Sequence, residues 1–120
     1  MDYQELCNRG FSADRRIRYV TVTDSHCNVL AGGMRPGLVP LEPIPEEAKK
    51  IDLQVTILDG VMRTWVESLG RARFALIQHE KAHMLIVPFN NKHLELSIET
   101  SMPIEEIGRI VAMIENALRQ

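Results

Sequence analysis

The sequence predicts an α+β sandwich, a five-stranded antiparallel sheet with a long helix between strands two and three and a helix at the C-terminus. The expected order is α-β-β-α-β-β-β-α, in one domain spanning residues 1–120. Three observations carry this. A β-branched run, I-R-Y-V-T-V-T, leads into the polar turn D-S-H-C-N. An apolar stripe recurs at steps of four and three from Ile51 to Leu69. Three extended runs separated by short polar turns occupy residues 73–99.

Taken in order, the first ten residues form one or two helical turns, with Tyr3, Leu6 and Cys7 on one face and Gly10 as the stop. Residues 17–23 form a strand, D-S-H-C-N turns, and V-L-A-G-G-M returns, making a hairpin. Residues 34–45 carry four prolines, at positions 36, 40, 43 and 45. Proline fixes φ and keeps its predecessor out of the helical region, so this segment is an extended connection. Leu38, Val39, Leu41 and Ile44 give it enough apolar surface to be strapped onto the domain. Its P-x-x-P spacing at Pro40 and Pro43 fits a structural strap better than a docking ligand.

A long helix is expected from Pro45 to Leu69, with Glu46 and Glu47 in its first turn and Gly70 as its stop. Ile51, Val55, Leu58, Met62, Trp65 and Leu69 form one face, and Leu53, Ile57 and Val61 form a second line beside it. Asp59-Gly60 is the expected weak point. Three strands follow, Arg73–His79, His83–Phe89 and His93–Glu99, joined by turns at Glu80-Lys81 and Asn90-Asn91-Lys92. The middle one, with M-L-I-V, is apolar on both faces and so central. The last alternates, with Leu94, Leu96 and Ile98 inward and His93, Glu95, Ser97 and Glu99 outward. The final helix begins at Met102-Pro103 and buries Ile104, Ile107, Val111, Ile114 and Leu118.

Composition is that of a globular domain, 45% apolar and 25% charged. A net charge of -2 argues against nucleic acid as a partner, because phosphate binding needs a concentrated basic surface. Two cysteines, Cys7 and Cys27, fit free thiols in a reducing cytoplasm better than a disulfide scaffold. The start, M-D-Y-Q-E-L-C-N, lacks the basic and apolar runs of a signal peptide, and no apolar run is long enough to span a membrane. A cytoplasmic protein is expected.

The sequence offers few chemical motifs. Asp24, His26 and Cys27 are each possible zinc ligands, with His79, His83 and His93 elsewhere, but no C-x-x-C or H-E-x-x-H spacing gathers them. His26 and Cys27 are adjacent, so in a strand they point apart and make a poor base–nucleophile pair. Asp24 and Asn28 read as turn-shaping residues. Gly32-Gly33 and Gly37 form no phosphate loop and more simply let the chain leave the sheet for the strap. Arg35 and Glu42 bracket the strap and Arg63 lies on the polar side of the long helix. Either they clasp the strap to the helix, or Arg35 and Arg63 form a small site for an anion or acidic partner. No cofactor, metal or catalytic constellation is expected.

The hairpin Y-V-T-V-T-D-S-H-C-N-V-L-A-G-G (19–33), within this element order, resembles the roadblock and longin group of small domains, whose layout profilin-like and PAS-like sensors partly share. Closer still, the chain resembles an uncharacterised family of small archaeal roadblock-like proteins. The stretches carrying that likeness are A-G-G-M-R-P-G-L-V-P-L-E (31–42), M-R (62–63), L-G (69–70) and the F-A-L…H-E-K-A…P-F block within 74–89. The resemblance implies a non-enzymatic homodimer, formed through the long helix and a sheet edge, that scaffolds or regulates a small GTPase or signalling complex. Leu53, Ile57 and Val61 are then the dimer-interface candidates, and Arg35, Glu42 and Arg63 the partner or ligand candidates. The alternative is a small-molecule sensor with a pocket between sheet and strap, lined by Tyr19, Met34 and Trp65.

Overall fold

The computed structural model describes residues 1–41 and 44–119. Its elements are α1 (Tyr3–Ala13), β1 (Ile17–Thr23), β2 (Val29–Met34), α2 (Ile44–Thr64), α3 (Val66–Leu69), β3 (Ala75–Gln78), β4 (His83–Phe89), β5 (Lys92–Ile98) and α4 (Ile104–Leu118). The strands form one antiparallel sheet in the order β2-β1-β5-β4-β3, so the last strand made is the central one. The α+β architecture and the hairpins are those the sequence predicts, but β4, expected to be central, lies between β5 and β3, and the centre belongs to β5, which pairs with β1 across the sheet.

Helix α1 starts at Asp2, whose Oδ1 accepts the Glu5 N–H at 3.1 Å. It packs on β1, β2 and α4. Gly10 does not stop it. It is buried inside the helix, where a Cβ would stand 3.2 Å from Cγ1 of Val20, so the glycine permits a close crossing over β1.

The core lies between the sheet and the pair α1 and α4. A bulge between Ile17 and Tyr19 resets the alternation of β1, and Ile17, Val20 and Val22 all enter this core. There they meet Leu85 and Val87 of β4 and Leu94, Leu96 and Ile98 of β5. From α4 the core receives Ile107, Ile110, Val111 and Ile114. Ile104, expected in that stripe, is exposed in the first turn, and Ile110 takes the inward position.

Helix α2 covers the opposite face, and this changes the meaning of β5. His93 and Glu95, expected outward, are buried there with Thr21 and Thr23 of β1. The alternation of β5 therefore separates an apolar core from a polar layer, buried at His93 and Glu95 and half-buried at Ser97.

The predicted helix 45–69 is interrupted, at Trp65 rather than at Gly60. Trp65 has φ -109° and ψ 14°, and α3 restarts at Val66 before ending at Gly70, which has φ 82°. Trp65 and Leu69, expected on one stripe with Val55, are exposed while Val55 is buried. In β2, Gly32 has φ 93° and a Cβ there would fall 2.0 Å from the Val20 carbonyl oxygen, so no other residue fits. The two glycines stay paired within the sheet, and the exit is made by Arg35-Pro36-Gly37-Leu38, closed by Leu38 N–H to Arg35 C=O at 3.2 Å, with Gly37 at φ 88°.

Candidate interaction surface

The hairpin tip bearing Asp24, His26 and Cys27 is built as a turn. The Asp24 carboxylate accepts the N–H groups of His26 (2.9 Å) and Asn28 (3.0 Å) and the Asn28 side-chain amide (3.1 Å). These bonds hold the Asp24 carboxyl below the usual carboxylate range. Cys27 takes a positive φ of 63° and sets its Sγ 3.7 Å from the Thr56 hydroxyl, which tethers the tip to α2. Burial pushes its thiol up, away from a nucleophilic thiolate. Cys7 is also free, with a thiol pushed up to about 11 by burial in the core. Among the described residues no three His, Cys, Asp or Glu side chains group as a metal site. His79 and His83 part company: His83 is buried with its Nε2 3.1 Å from the Met102 carbonyl, while His79 is exposed.

Arg35 is committed to backbone. Its guanidinium donates to the carbonyls of Ile17 (2.8 Å), Phe11 (2.7 Å) and Asp14 (2.9 Å), and it stacks over the Phe11 ring. It thus satisfies carbonyls left open at the end of α1. Arg63 instead pairs with Asp59 of its own helix at 2.8 Å. The two arginines share no partner, and Glu42 lies outside the described residues. The strap is fastened by Arg18, which donates to the Val39 carbonyl at 3.0 Å, yet the Val39 and Leu41 side chains remain exposed.

Among the described residues an extended apolar surface runs along the outer side of α2. Leu53, Ile57, Val61 and Trp65 follow one another at four-residue steps and Leu69 of α3 continues the line. All five are between 56% and 76% exposed, so neither the strap nor α1 covers them. The inner side of α2 buries Val55, half-buries Ile51, Leu58 and Met62, and also reaches the sheet through polar contacts. Asp59 Oδ1 accepts from His93 Nε2 at 2.9 Å. Burial pushes the Asp59 carboxyl up, but Arg63 and His93 outweigh it, and the net shift is down.

Next to His93, Glu95 is fully buried, and burial pushes its carboxyl up to about 8, with the nearby Thr21 hydroxyl offsetting only part of the effect. Among the described residues neither Glu95 oxygen nor the Thr21 and Thr23 hydroxyls reach hydrogen-bonding geometry with a protein partner. The sequence marked Glu95 only as an outward strand residue; its central strand position, visible once β1 pairs with β5, was the missing information.

Two cavities flank α2. One, of about 340 Å³, lies between the sheet, the strap and α2, lined by Tyr19, Met34, Leu41, Ile51, Gln54 and Met84. It contains Tyr19 and Met34 as expected, but Trp65 is not part of it. The other is a cleft of about 750 Å³ at the far end of α2, where residues 71–73, the β4–β5 turn and the end of α4 converge.

No protein-family model matches the sequence, and no curated protein matches it. Solved structures do match over nearly the whole chain. A roadblock/LC7 domain from Streptomyces avermitilis superposes with a TM-score of 0.69 at 13% identity, covering 99% of this chain and 96% of its own. An MglB described in a tetrameric arrangement gives 0.70 at 15% identity, with 97% and 86% covered. Profilin from Schizosaccharomyces pombe gives 0.61 at 13% identity, with 98% and 96% covered. At these identities the likeness is one of architecture, and the chain has the roadblock-like α+β fold.

Proposed function

We propose that this chain is a non-enzymatic, homodimeric interaction module of the cytoplasm, which scaffolds or regulates another protein such as a small GTPase or a signalling complex. The observation that carries the reading is the uncovered stripe Leu53, Ile57, Val61, Trp65 and Leu69. A second copy buries it by pairing α2 with α2, and a sheet edge, β2 or β3, joins the same interface. A roadblock-like fold supports this assignment, as does the absence from the sequence of any nucleophile–base or paired-carboxylate constellation. Light scattering at roughly 50 μM should give twice the chain mass, and Leu53→Glu with Ile57→Glu should halve it without unfolding the protein. A wild-type monomer at that concentration contradicts the dimer.

The cavity beside Tyr19 and Met34 favours one second reading, a small-molecule sensor. A thermal-shift screen decides it: a ligand that binds the native state raises the transition, and Met34→Trp, by filling the cavity, abolishes the rise.

A further inference from the structure

We propose that the cleft at the far end of α2 docks an acidic, partly apolar peptide segment of a partner protein. This rests on the reading of the chain as a protein-binding module, but not on its being a dimer. The chain as a whole is slightly acidic, yet Arg63, Arg71, Arg73, Lys92 and Arg119 all line this one cleft. Among the described residues the carboxylates lining it are Asp59 and Glu115. A concave surface of one sign concentrates opposite charge, because its low-dielectric walls focus the field.

The arrangement of the cations selects among anions. They come from four separate segments: α2, the 71–73 connection, the start of β5 and the residue after α4. Two are already neutralised, Arg63 by Asp59 at 2.8 Å and Arg73 by Glu115 through two bonds of 2.6 and 3.1 Å. Lys92 stacks over the Tyr3 ring, 5.6 Å from its centre. Arg71 has no hydrogen bond or ion pair among the described residues. Arg71 and Arg119 are carried by separate segments, whereas a compact phosphate calls for several cationic groups held on one point. The cleft is also far larger than a lone anion needs, and Met62, Val66, Pro88 and Leu118 add apolar surface to it. A peptide carrying acidic and apolar side chains uses both features, placing carboxylates on Arg71 and Arg119. Asp59 and Glu115 can hand over their guanidinium partners or repel a misplaced acid.

The test uses a fluorescein-labelled 12-residue peptide of glutamates and leucines, with a lysine–leucine peptide of the same pattern as control. Anisotropy titration should show saturable binding of the acidic peptide alone, weakened by raising salt from about 50 to 200 mM. Arg71→Glu with Arg119→Glu should weaken it at least tenfold. Arg71→Gln, which leaves α4 untouched, should weaken it about threefold and guards against a folding defect in the double variant. Equal binding by wild type and both variants overturns the proposal, as does a larger thermal stabilisation by pyrophosphate than by the peptide. Light scattering on the same samples keeps the two readings apart: a dimer that ignores the peptide refutes the cleft alone, and a monomer that binds it refutes the dimer alone.

Discussion

On the side of the sheet covered by α1 and α4, strands β1 and β5 present Val20, Val22, Leu94 and Leu96, all fully enclosed by other apolar side chains. On the side covered by α2, the same two strands present Thr21, Thr23, His93 and Glu95, buried just as deeply. Enclosure is equal and chemistry is opposite. The first layer is attached by apolar contact, which is non-directional and strong in aggregate. The second is attached by Val55, the half-buried Ile51, Leu58 and Met62, a hydrogen bond between His93 and Asp59 and a thiol contact, over polar atoms that, among the described residues, lack protein partners. Unpaired buried polar groups cost stability, so α2 is the weaker layer and the one suited to carry an interface.

The contrast can be broken from either side. Leu96→Ala opens a cavity in the tighter layer and should lower unfolding free energy by about 2–5 kcal/mol in a urea titration. Glu95 governs the other layer through pH. Its carboxyl holds a proton more tightly in the folded chain, at about 8 against an ordinary 4.5. That contribution to stability is complete below the unfolded value and is lost as pH rises toward the folded one. Stability should therefore fall between about pH 5 and pH 8 by roughly 3 kcal/mol, and Glu95→Gln should flatten the slope. A wild-type stability that rises over this interval would contradict the assignment. The smallest effect belongs to Arg35, which ties α1 to β1 and the strap. Arg35→Ala should cost about 1–3 kcal/mol through the carbonyls it leaves open, with binding at the distant cleft unchanged.

Most of this architecture was legible in the chain because each element carries its own punctuation. Asp24 and Asn28 announced their turn, Asn90-Asn91 theirs, and the four-residue steps of Leu53, Ile57 and Val61 marked a face with nothing to cover it. What escaped depended on partners remote in sequence. Glu95 alternates like a solvent-facing residue, and only the pairing of β5 with β1 places it under α2. Trp65 and Leu69 continue the stripe of Val55 on an unbroken helix, and the change of direction at residue 65 lay outside that pattern. Arg35 resembled a site residue because a guanidinium reads the same whether it meets a ligand or three carbonyls. The basic cleft was invisible because its cations are scattered from Arg63 to Arg119.

The strand order has a consequence for how the chain comes into being. Because β1 bonds to β5 and β5 is the last strand made, the first hairpin leaves the ribosome with one long edge unpaired. At about 5–20 residues per second, that edge stays open for several seconds. Until β5 arrives, Val20 and Val22 have only α1 and β2 for company, so nascent chains held just short of residue 92 should bind holding chaperones and resist release until the final strand is added.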